Sequence, residues 1–183
     1  PGPDGKIEFD FARYCEKYAD GRKPDFVTIL LGINDVFFGT DETMPEIMKN
    51  KVFAYLEPMV AAIRRAAPDC VIGIALLPPP AASQDAFGAN YGCQQTRYQV
   101  RKNLDCFNRA VTAKCRELQI DVIPLPPNLD TVNGFPTVSE AANANCPETV
   151  IRQSNAFHPA EPGYRQFADV FYAWLKYRLN QKP

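Results

Sequence analysis

The sequence predicts an α/β fold in which a parallel sheet lies between two layers of helices. Three short apolar runs, each flanked by turn residues, alternate with longer segments of helical periodicity. Strands that are apolar along their whole length are typical of a parallel sheet covered on both faces. Helical crossovers between them give a doubly wound, three-layer α/β/α arrangement. The 183 residues have the size of a single domain, residues 1–183.

The first half of the chain predicts two helices and two strands. A helix over residues 8–19 ends at Asp20-Gly21, and the apolar run at residues 26–31 predicts the first strand. Residues 43–66 repeat apolar positions at helical spacing, and residues 70–77 predict a second strand that stops at three prolines. The first helix should carry Phe11, Tyr14, Cys15 and Tyr18 on one side. The second should have a buried stripe of Val52, Leu56, Met59, Val60 and Ile63.

The second half predicts a third strand between two further helices. Residues 95–118 predict a helix and residues 120–125 a strand, whereas residues 126–161 form a long connection in which no periodicity is evident. A last helix is predicted over residues 162–179. The expected inner faces carry Val100, Leu104, Phe107, Val111, Cys115 and Leu118, then Tyr164, Phe167, Phe171, Trp174 and Leu175.

Charge and cysteine spacing exclude several classes of function. The chain has 20 Lys+Arg against 21 Asp+Glu, so no basic field is available for nucleic acid or for an anionic membrane. No apolar stretch approaches the roughly 18 residues of a spanning helix. The six cysteines lack zinc-binding spacing, so we expect no metal site. Most should be buried thiols, and Cys93 and Cys146, both in predicted loops, are the best candidates for a disulfide.

Ligands of parallel sheets bind beyond the carboxyl ends of the strands, and two polar segments are predicted there. The first strand ends in Gly32-Ile33-Asn34-Asp35, where the Asn34 carboxamide could donate hydrogen bonds to an oxyanion. An ordinary strand-exit turn is the alternative. His158, the only histidine, lies just before the last helix and suits a general base, although a structural turn histidine is also compatible.

Together these two segments resemble the SGNH (GDSL-type) hydrolases, a family of esterases and acetyl-esterases with a flavodoxin-like sheet. The similarity runs from Asp25 to the C-terminus: Gly32-Ile33-Asn34-Asp35 corresponds to the block whose Asn is an oxyanion donor, and His158 to the catalytic base. The resemblance implies a flavodoxin-like three-layer α/β/α fold, an oxyanion hole that includes Asn34 and Gly32, and acyl transfer through a serine. It implies no cofactor.

The family's nucleophile is the clearest departure. Its serine stands in a Gly-Asp-Ser motif after the first strand, whereas the serines here, Ser83, Ser139 and Ser154, have no such setting. We therefore expect the domain to be incomplete, with the serine on an upstream segment or companion chain that adds the missing strand. Residues 1–183 alone should then be inactive. Ser83 is a poor substitute because no strand-to-helix elbow precedes it.

The triad acid also departs from the family. The family places Asp three residues before the histidine, where this chain has Asn155. Asn155 could orient the imidazole through its carbonyl oxygen in a Ser–His dyad, but it cannot offset the imidazolium charge. Another carboxylate, such as Asp130, is the alternative.

The resemblance and the loops favour an enzyme that removes O-acetyl groups from carbohydrates. The predicted substrate-binding residues are Asp35 and, in the loop after the second strand, Gln84 and Tyr91. The substrate would be a small-molecule or polysaccharide ester, and a polysaccharide would favour a secreted or periplasmic protein. The competing hypothesis is a catalytically dead, glycan-binding or scaffold protein of the same fold. A nucleotide binder is disfavoured because no glycine-rich phosphate loop follows a strand.

Overall fold

Three parallel strands form the sheet in this computed structural model, which describes residues 9–89 and 95–181. The strands are β1 (Phe26–Ile29), β2 (Val71–Ala75) and β3 (Asp121–Ile123), in the order β1-β2-β3. Their registers place Thr28 opposite Gly73 and Gly73 opposite Asp121. The parallel α/β fold predicted from the sequence is confirmed, and each strand is shorter than its apolar run.

Helices connect these strands close to the predicted positions. They are α1 (Phe11–Ala19), α2 (Ile33–Val36), α3 (Met44–Ile47), α4 (Ala54–Ala66), α5 (Asp85–Ala89), α6 (Arg97–Leu118) and α7 (Glu161–Leu179). A π-helical segment, Met48–Phe53, joins α3 to α4, so the predicted helix 43–66 is one continuous helical run. Side-chain caps set two of the starts, because the Asp10 carboxylate accepts from Arg13 N–H and the Thr96 hydroxyl accepts from Gln99 N–H.

Helices cover both faces of the sheet. On one face, the Trp174 ring of α7 lies edge-on to Phe26, 5.9 Å between ring centroids, and Gly73 leaves room for it. On the other face, residues of α4 and α6 gather with Ile29 and Ile74 around one groove. The sheet core therefore lies between α7 on one side and α4 and α6 on the other. No helix in the two described ranges is both long and apolar enough to span a bilayer.

The outer edge of β1 is open within the described part of the chain, because β1 pairs only with β2. Leu30 and Leu31, which follow the strand, are exposed. The nearby helix α1 buries Phe11 and Cys15, whereas Tyr14 and Tyr18, predicted on the same side of the helix, are exposed. The side of α1 that these four residues share is therefore buried only in part.

A β-hairpin occupies the connection in which the sequence indicated no regular structure, and that prediction was wrong. Strands β4 (Thr137–Asn143) and β5 (Cys146–Gln153) pair antiparallel, with Ser139 opposite Ile151. Both strands are largely exposed, so neither acquires the alternation that burial of one face would impose. A short 3₁₀ turn, Pro126–Asn128, precedes the hairpin after β3.

Three cysteines, two in the core and one in the hairpin, are thiols without a disulfide. Cys15 and Cys115 are buried and free, and Cys146 is free as well, so the disulfide proposed for it is not formed. Its proposed partner, Cys93, lies outside the described residues. Burial raises the pKa of the Cys115 thiol to about 11, with a smaller contribution from the charge of Asp121.

Replacement of Gly73 by Ala should destabilise the sheet. The added Cβ would lie 2.8 Å from both Ile123 Cδ1 and Trp174 Cζ2, so α7 would have to shift, and overpacking of this kind costs about 1–3 kcal/mol. Gly88→Ala is the matched control, since its Cβ meets nothing within 4 Å and alanine favours a helix. Urea unfolding of both variants tests this, and equal stability of the two would contradict it.

Alkaline pH should weaken the fold through Cys115. The thiol has a pKa near 8.5 when unfolded and about 11 when folded, so the unfolded state loses its proton first. The stabilisation from this group is complete below the unfolded pKa and declines as the pH rises toward the folded one. Unfolding free energies between about pH 8 and 10.5 should fall less steeply in Cys115→Ala than in the unmodified protein. Parallel pH profiles would contradict the assignment.

Candidate active site

A sharp turn at Gly32 places Asn34 at the carboxyl end of β1. Gly32 has φ +116°, and a Cβ there would lie 2.5 Å from the Phe107 ring, so both backbone conformation and space require glycine. Gly32 is the N-cap of the short helix α2, and Asn34 lies in its first turn, exposed. The turn therefore presents the Asn34 carboxamide next to the end of the strand.

Hydrogen bonds to its backbone N–H groups hold the loop that carries His158. The side-chain oxygen Oδ1 of Asn155 accepts hydrogen bonds from the backbone N–H groups of Phe157 at 3.0 Å and His158 at 2.9 Å. Ala160 N–H donates to the Gly134 carbonyl at 2.8 Å, and α7 starts at the next residue. The hydrogen bonds described for Asn155 thus fix the backbone of the loop. Its prediction as an orienting group for the ring remains a prediction.

Asn34 and His158 line the same cavity, which has a volume of about 230 Å³. The two residues come from opposite halves of the chain, and the cavity lies where β1 and β2 end, as expected for parallel strands. Apolar and aromatic side chains make up most of the remaining wall: Leu30, Ile33, Phe37, Leu77, Pro78, Pro79, Phe157, Pro159, Tyr164 and Phe167. The sequence-based expectation that the imidazole and the carboxamide share one crevice is met.

Other predicted residues lie elsewhere. Gly32 and Asp35 line a second groove of about 270 Å³ beside β1 and α4. The Gln84 carboxamide is engaged within the chain, since its oxygen accepts from Arg97 N–H at 2.8 Å and its nitrogen donates to the Gln95 carbonyl. Tyr91 lies outside the described residues. The roles predicted for these four residues remain predictions.

No serine is among the residues that line the cavity of Asn34 and His158. The Ser83 hydroxyl hydrogen-bonds with Asp85, and the Ser154 hydroxyl donates to the Pro136 carbonyl. Ser139 lies on the exposed strand β4. The cavity therefore combines a potential base and a potential oxyanion donor without a hydroxyl nucleophile of the serine type.

Asp130, the alternative acid, is engaged in its own turn. Its carboxylate accepts from the backbone N–H groups of Val132 and Asn133 and from the Asn133 side chain, and these bonds lower its pKa. Asp130 does not line the cavity. Within the described ranges, no cluster of three or more His, Cys, Asp or Glu residues is placed to hold a metal ion.

Sequence reasoning missed two carboxamides that bind backbone groups at the carboxyl edge of the sheet. The buried Gln153 accepts from Ser83 N–H at 2.7 Å and donates to the Thr131 and Val132 carbonyls at 2.8 Å each. The Asn108 carboxamide binds both the N–H and the carbonyl of Leu77. Asn108 could have been recognised as a polar residue on an otherwise apolar face of a helix. Gln153 gave no comparable signal, because its hairpin was not predicted.

Comparisons with known proteins agree with the fold and assign the chain to a family. Residues 8–166 match the model of the GDSL-like Lipase/Acylhydrolase family. A structure from Chitinophaga pinensis described as a possible lipase is 16% identical, with a TM-score of 0.59, over 96% of this chain and 81% of that one. An extracellular lipase from Streptomyces rimosus is also 16% identical, with a TM-score of 0.52, over 81% of this chain and 68% of that one. Such low identity shows the fold alone. A comparison with curated proteins found no sequence match.

Replacement of Asn155 by Ala should loosen the histidine loop. It removes the acceptor of two backbone N–H groups, and loss of a comparable cap costs about 0.5–2 kcal/mol. Asn155→Asp keeps an acceptor oxygen at the same position and should preserve the loop. Amide hydrogen exchange at Phe157 and His158 should accelerate in Asn155→Ala only. Unchanged exchange in that variant would show that other contacts hold the loop.

Proposed function

Because the chain belongs to the GDSL-like lipase/acylhydrolase family, we propose that it supplies the base and an oxyanion donor of an ester hydrolase. The observation that carries the proposal is the shared cavity of Asn34 and His158. A carboxamide donor can stabilise the oxygen of a tetrahedral intermediate, and an imidazole can both accept and return a proton at neutral pH. An acyl-transfer reaction needs both groups at one carbonyl.

The nucleophile in this proposal is a serine of an upstream segment or companion chain. Its support is twofold: none of the three serines here lines the cavity, and the β1 edge beside Asn34 is open in the described residues. A strand added in parallel at that edge would end close to the cavity, because the carboxyl ends of parallel strands lie together.

The proposed reaction proceeds through an acyl-enzyme. The serine oxygen attacks the ester carbonyl carbon while its proton passes to His158, and the Asn34 N–H donates to the resulting oxyanion. Collapse of this intermediate breaks the bond to the alcohol oxygen, which takes the proton from His158. Water then attacks the acyl group, gives a proton to His158, and releases the carboxylic acid as the serine recovers that proton.

For the alcohol, we propose a carbohydrate hydroxyl, with acetyl as the smallest acyl group. The support is the sequence of residues 79–95, which contains four side-chain amides and two aromatic residues and begins at the cavity with Pro79. Comparison of kcat/KM for O-acetylated xylan and for an aryl acetate separates this alcohol specificity from ester hydrolysis in general.

A non-catalytic glycan-binding protein of the same fold is the second candidate. Asn155 and the lack of a serine in the cavity favour it. Labelling of the full-length protein with a fluorophosphonate decides between the two. A serine adduct that His158→Ala abolishes supports the hydrolase, whereas no adduct in folded protein supports the binding protein.

Replacement of Asn34 by Ala should lower kcat of the full-length enzyme by roughly a hundredfold to a thousandfold, since one oxyanion donor is lost. KM should change little, because the ground-state carbonyl makes weaker use of that donor. The matched control is Asn145→Ala, an exposed asparagine in the turn of the hairpin that does not line the cavity. A loss confined to KM in Asn34→Ala would contradict the assigned role.

A further inference from the structure

The segment that carries Asn34 is a single helical turn. Helix α2 comprises four residues, Ile33–Val36, far fewer than the roughly 12–15 at which an isolated helix becomes even marginally stable in water. The Asn34 side chain makes no hydrogen bond with another residue in the two described ranges. Where its carboxamide stands therefore depends on the contacts that hold the backbone of α2.

Helix α6 holds this turn at both ends. At its start, the Phe107 ring lies so close to Gly32 that no Cβ would fit between them. At its far end, the Asn103 side-chain nitrogen donates to the Val36 carbonyl at 3.0 Å and to the Gly39 carbonyl at 2.8 Å. The last carbonyls of a helix have no partner within it, so they need an outside donor of this kind. Asn103 and Phe107 are four residues apart and therefore share one face of α6.

The Asn103 carboxamide can make these bonds in only one orientation. The residue is 1% exposed, and its oxygen accepts from the Gln99 side-chain nitrogen at 3.0 Å. Gln99 also donates to the Asp41 carboxylate at 3.1 Å, and Asp41 forms an ion pair with Lys102. Both N–H groups and the oxygen of Asn103 are thus engaged. A carboxylate of the same shape would place an oxygen against two carbonyl oxygens, without a donor between them.

We infer that Asn103 is a positioning residue for the oxyanion donor. It does not line the cavity, and it acts on the reaction through α2, which it holds so that the Asn34 carboxamide faces the ester carbonyl. The inference rests on the proposed function, in which Asn34 donates to the oxyanion. Such a donor works only within about 2.7–3.1 Å of that oxygen, and a displacement of about 1 Å can cost a hundredfold in rate.

Asn103→Asp tests this role, because it keeps the size of the side chain and replaces the donating nitrogen by oxygen. In the full-length enzyme, kcat for an aryl acetate should fall about tenfold to a hundredfold with little change in KM. The matched control is Thr112→Val, which removes a hydroxyl of α6 that donates at 2.7 Å to a carbonyl of the same helix. Both constants should be unchanged in the control. An unchanged kcat in folded Asn103→Asp would overturn the inference.

A milder variant covers the case in which Asn103→Asp does not fold. Gln99→Met removes the N–H that fixes the orientation of the Asn103 carboxamide, while a side chain of similar length remains. It should lower kcat by roughly threefold or more, again with little change in KM. An unchanged kcat in Gln99→Met, when Asn103→Asp is unfolded, would overturn the inference.

A double-mutant cycle separates positioning from a general effect on the fold. When Asn34 is already alanine, the carboxamide that Asn103 positions is absent. Asn103→Asp, or Gln99→Met in its place, should then lower kcat by less than about twofold, because coupled residues are not additive. Losses that multiply in the double variant would show a merely structural role and overturn the inference.

Hydrogen exchange tests the hold on α2 without any turnover. The N–H groups of Asp35 and Val36 donate to the Gly32 carbonyl at 3.1 and 3.2 Å, and their exchange should accelerate roughly tenfold or more in Asn103→Asp. Accelerated exchange in a protein that fluorophosphonate does not label would support the hold on α2 and overturn the hydrolase. Serine labelling together with unchanged exchange would support the hydrolase and overturn the role of Asn103.

Discussion

One buried carboxamide, that of Gln153 just before the histidine loop, joins the segments that follow β2 and β3. Its oxygen accepts from Ser83 N–H, and its nitrogen donates to the carbonyls of Thr131 and Val132. Every bond that this nearly inaccessible side chain makes goes to the backbone of another loop. A buried polar group left without partners costs about 1–3 kcal/mol, so the three segments are held together as a unit.

Further bonds of the same kind extend this arrangement across the carboxyl edge of the sheet. Ala81 N–H donates to the Ala156 carbonyl and Ala82 N–H to the Thr131 carbonyl, both at 2.9 Å. Beyond the last paired residue of β2, Asn108 replaces a neighbouring strand by binding both backbone groups of Leu77. Backbone groups of irregular segments need partners as much as those of a sheet do. Side-chain carboxamides meet that need here.

The elements that the sequence predicted well are those whose periodicity reflects burial. Helix α6 buries five of the six positions expected on its inner face, with Val111 and Cys115 fully inaccessible. The meeting of Asn34 and His158 was also predictable, because both follow segments that end at one edge of a parallel sheet. The hydrophobic periodicity and the order of strands in a parallel sheet are sufficient to predict these features.

The sequence could not predict structure that burial does not encode. Strands β4 and β5 are exposed on most positions, and the hairpin is tied to the domain by Arg152, which forms ion pairs with Glu140 in β4 and Asp85 in α5. Charge pairs between distant segments leave no periodic signal. Likewise, the periodicity of α1 grouped Tyr14 with Phe11 but could not tell which of them would find a partner.

In the proposed mechanism, the catalytic groups come from different parts of the structure. The base lies in a loop that Asn155 holds, and Asn108 holds the backbone of Leu77 in the cavity wall. The segment of the carboxamide donor is held by Asn103, which donates to the Val36 and Gly39 carbonyls. None of these bonds involves the open edge of β1, so a strand that adds there would meet a site already formed. Such a strand would contribute the nucleophile, while the base and the oxyanion donor would come from the residues described here. Addition of the strand would then control whether the reaction occurs.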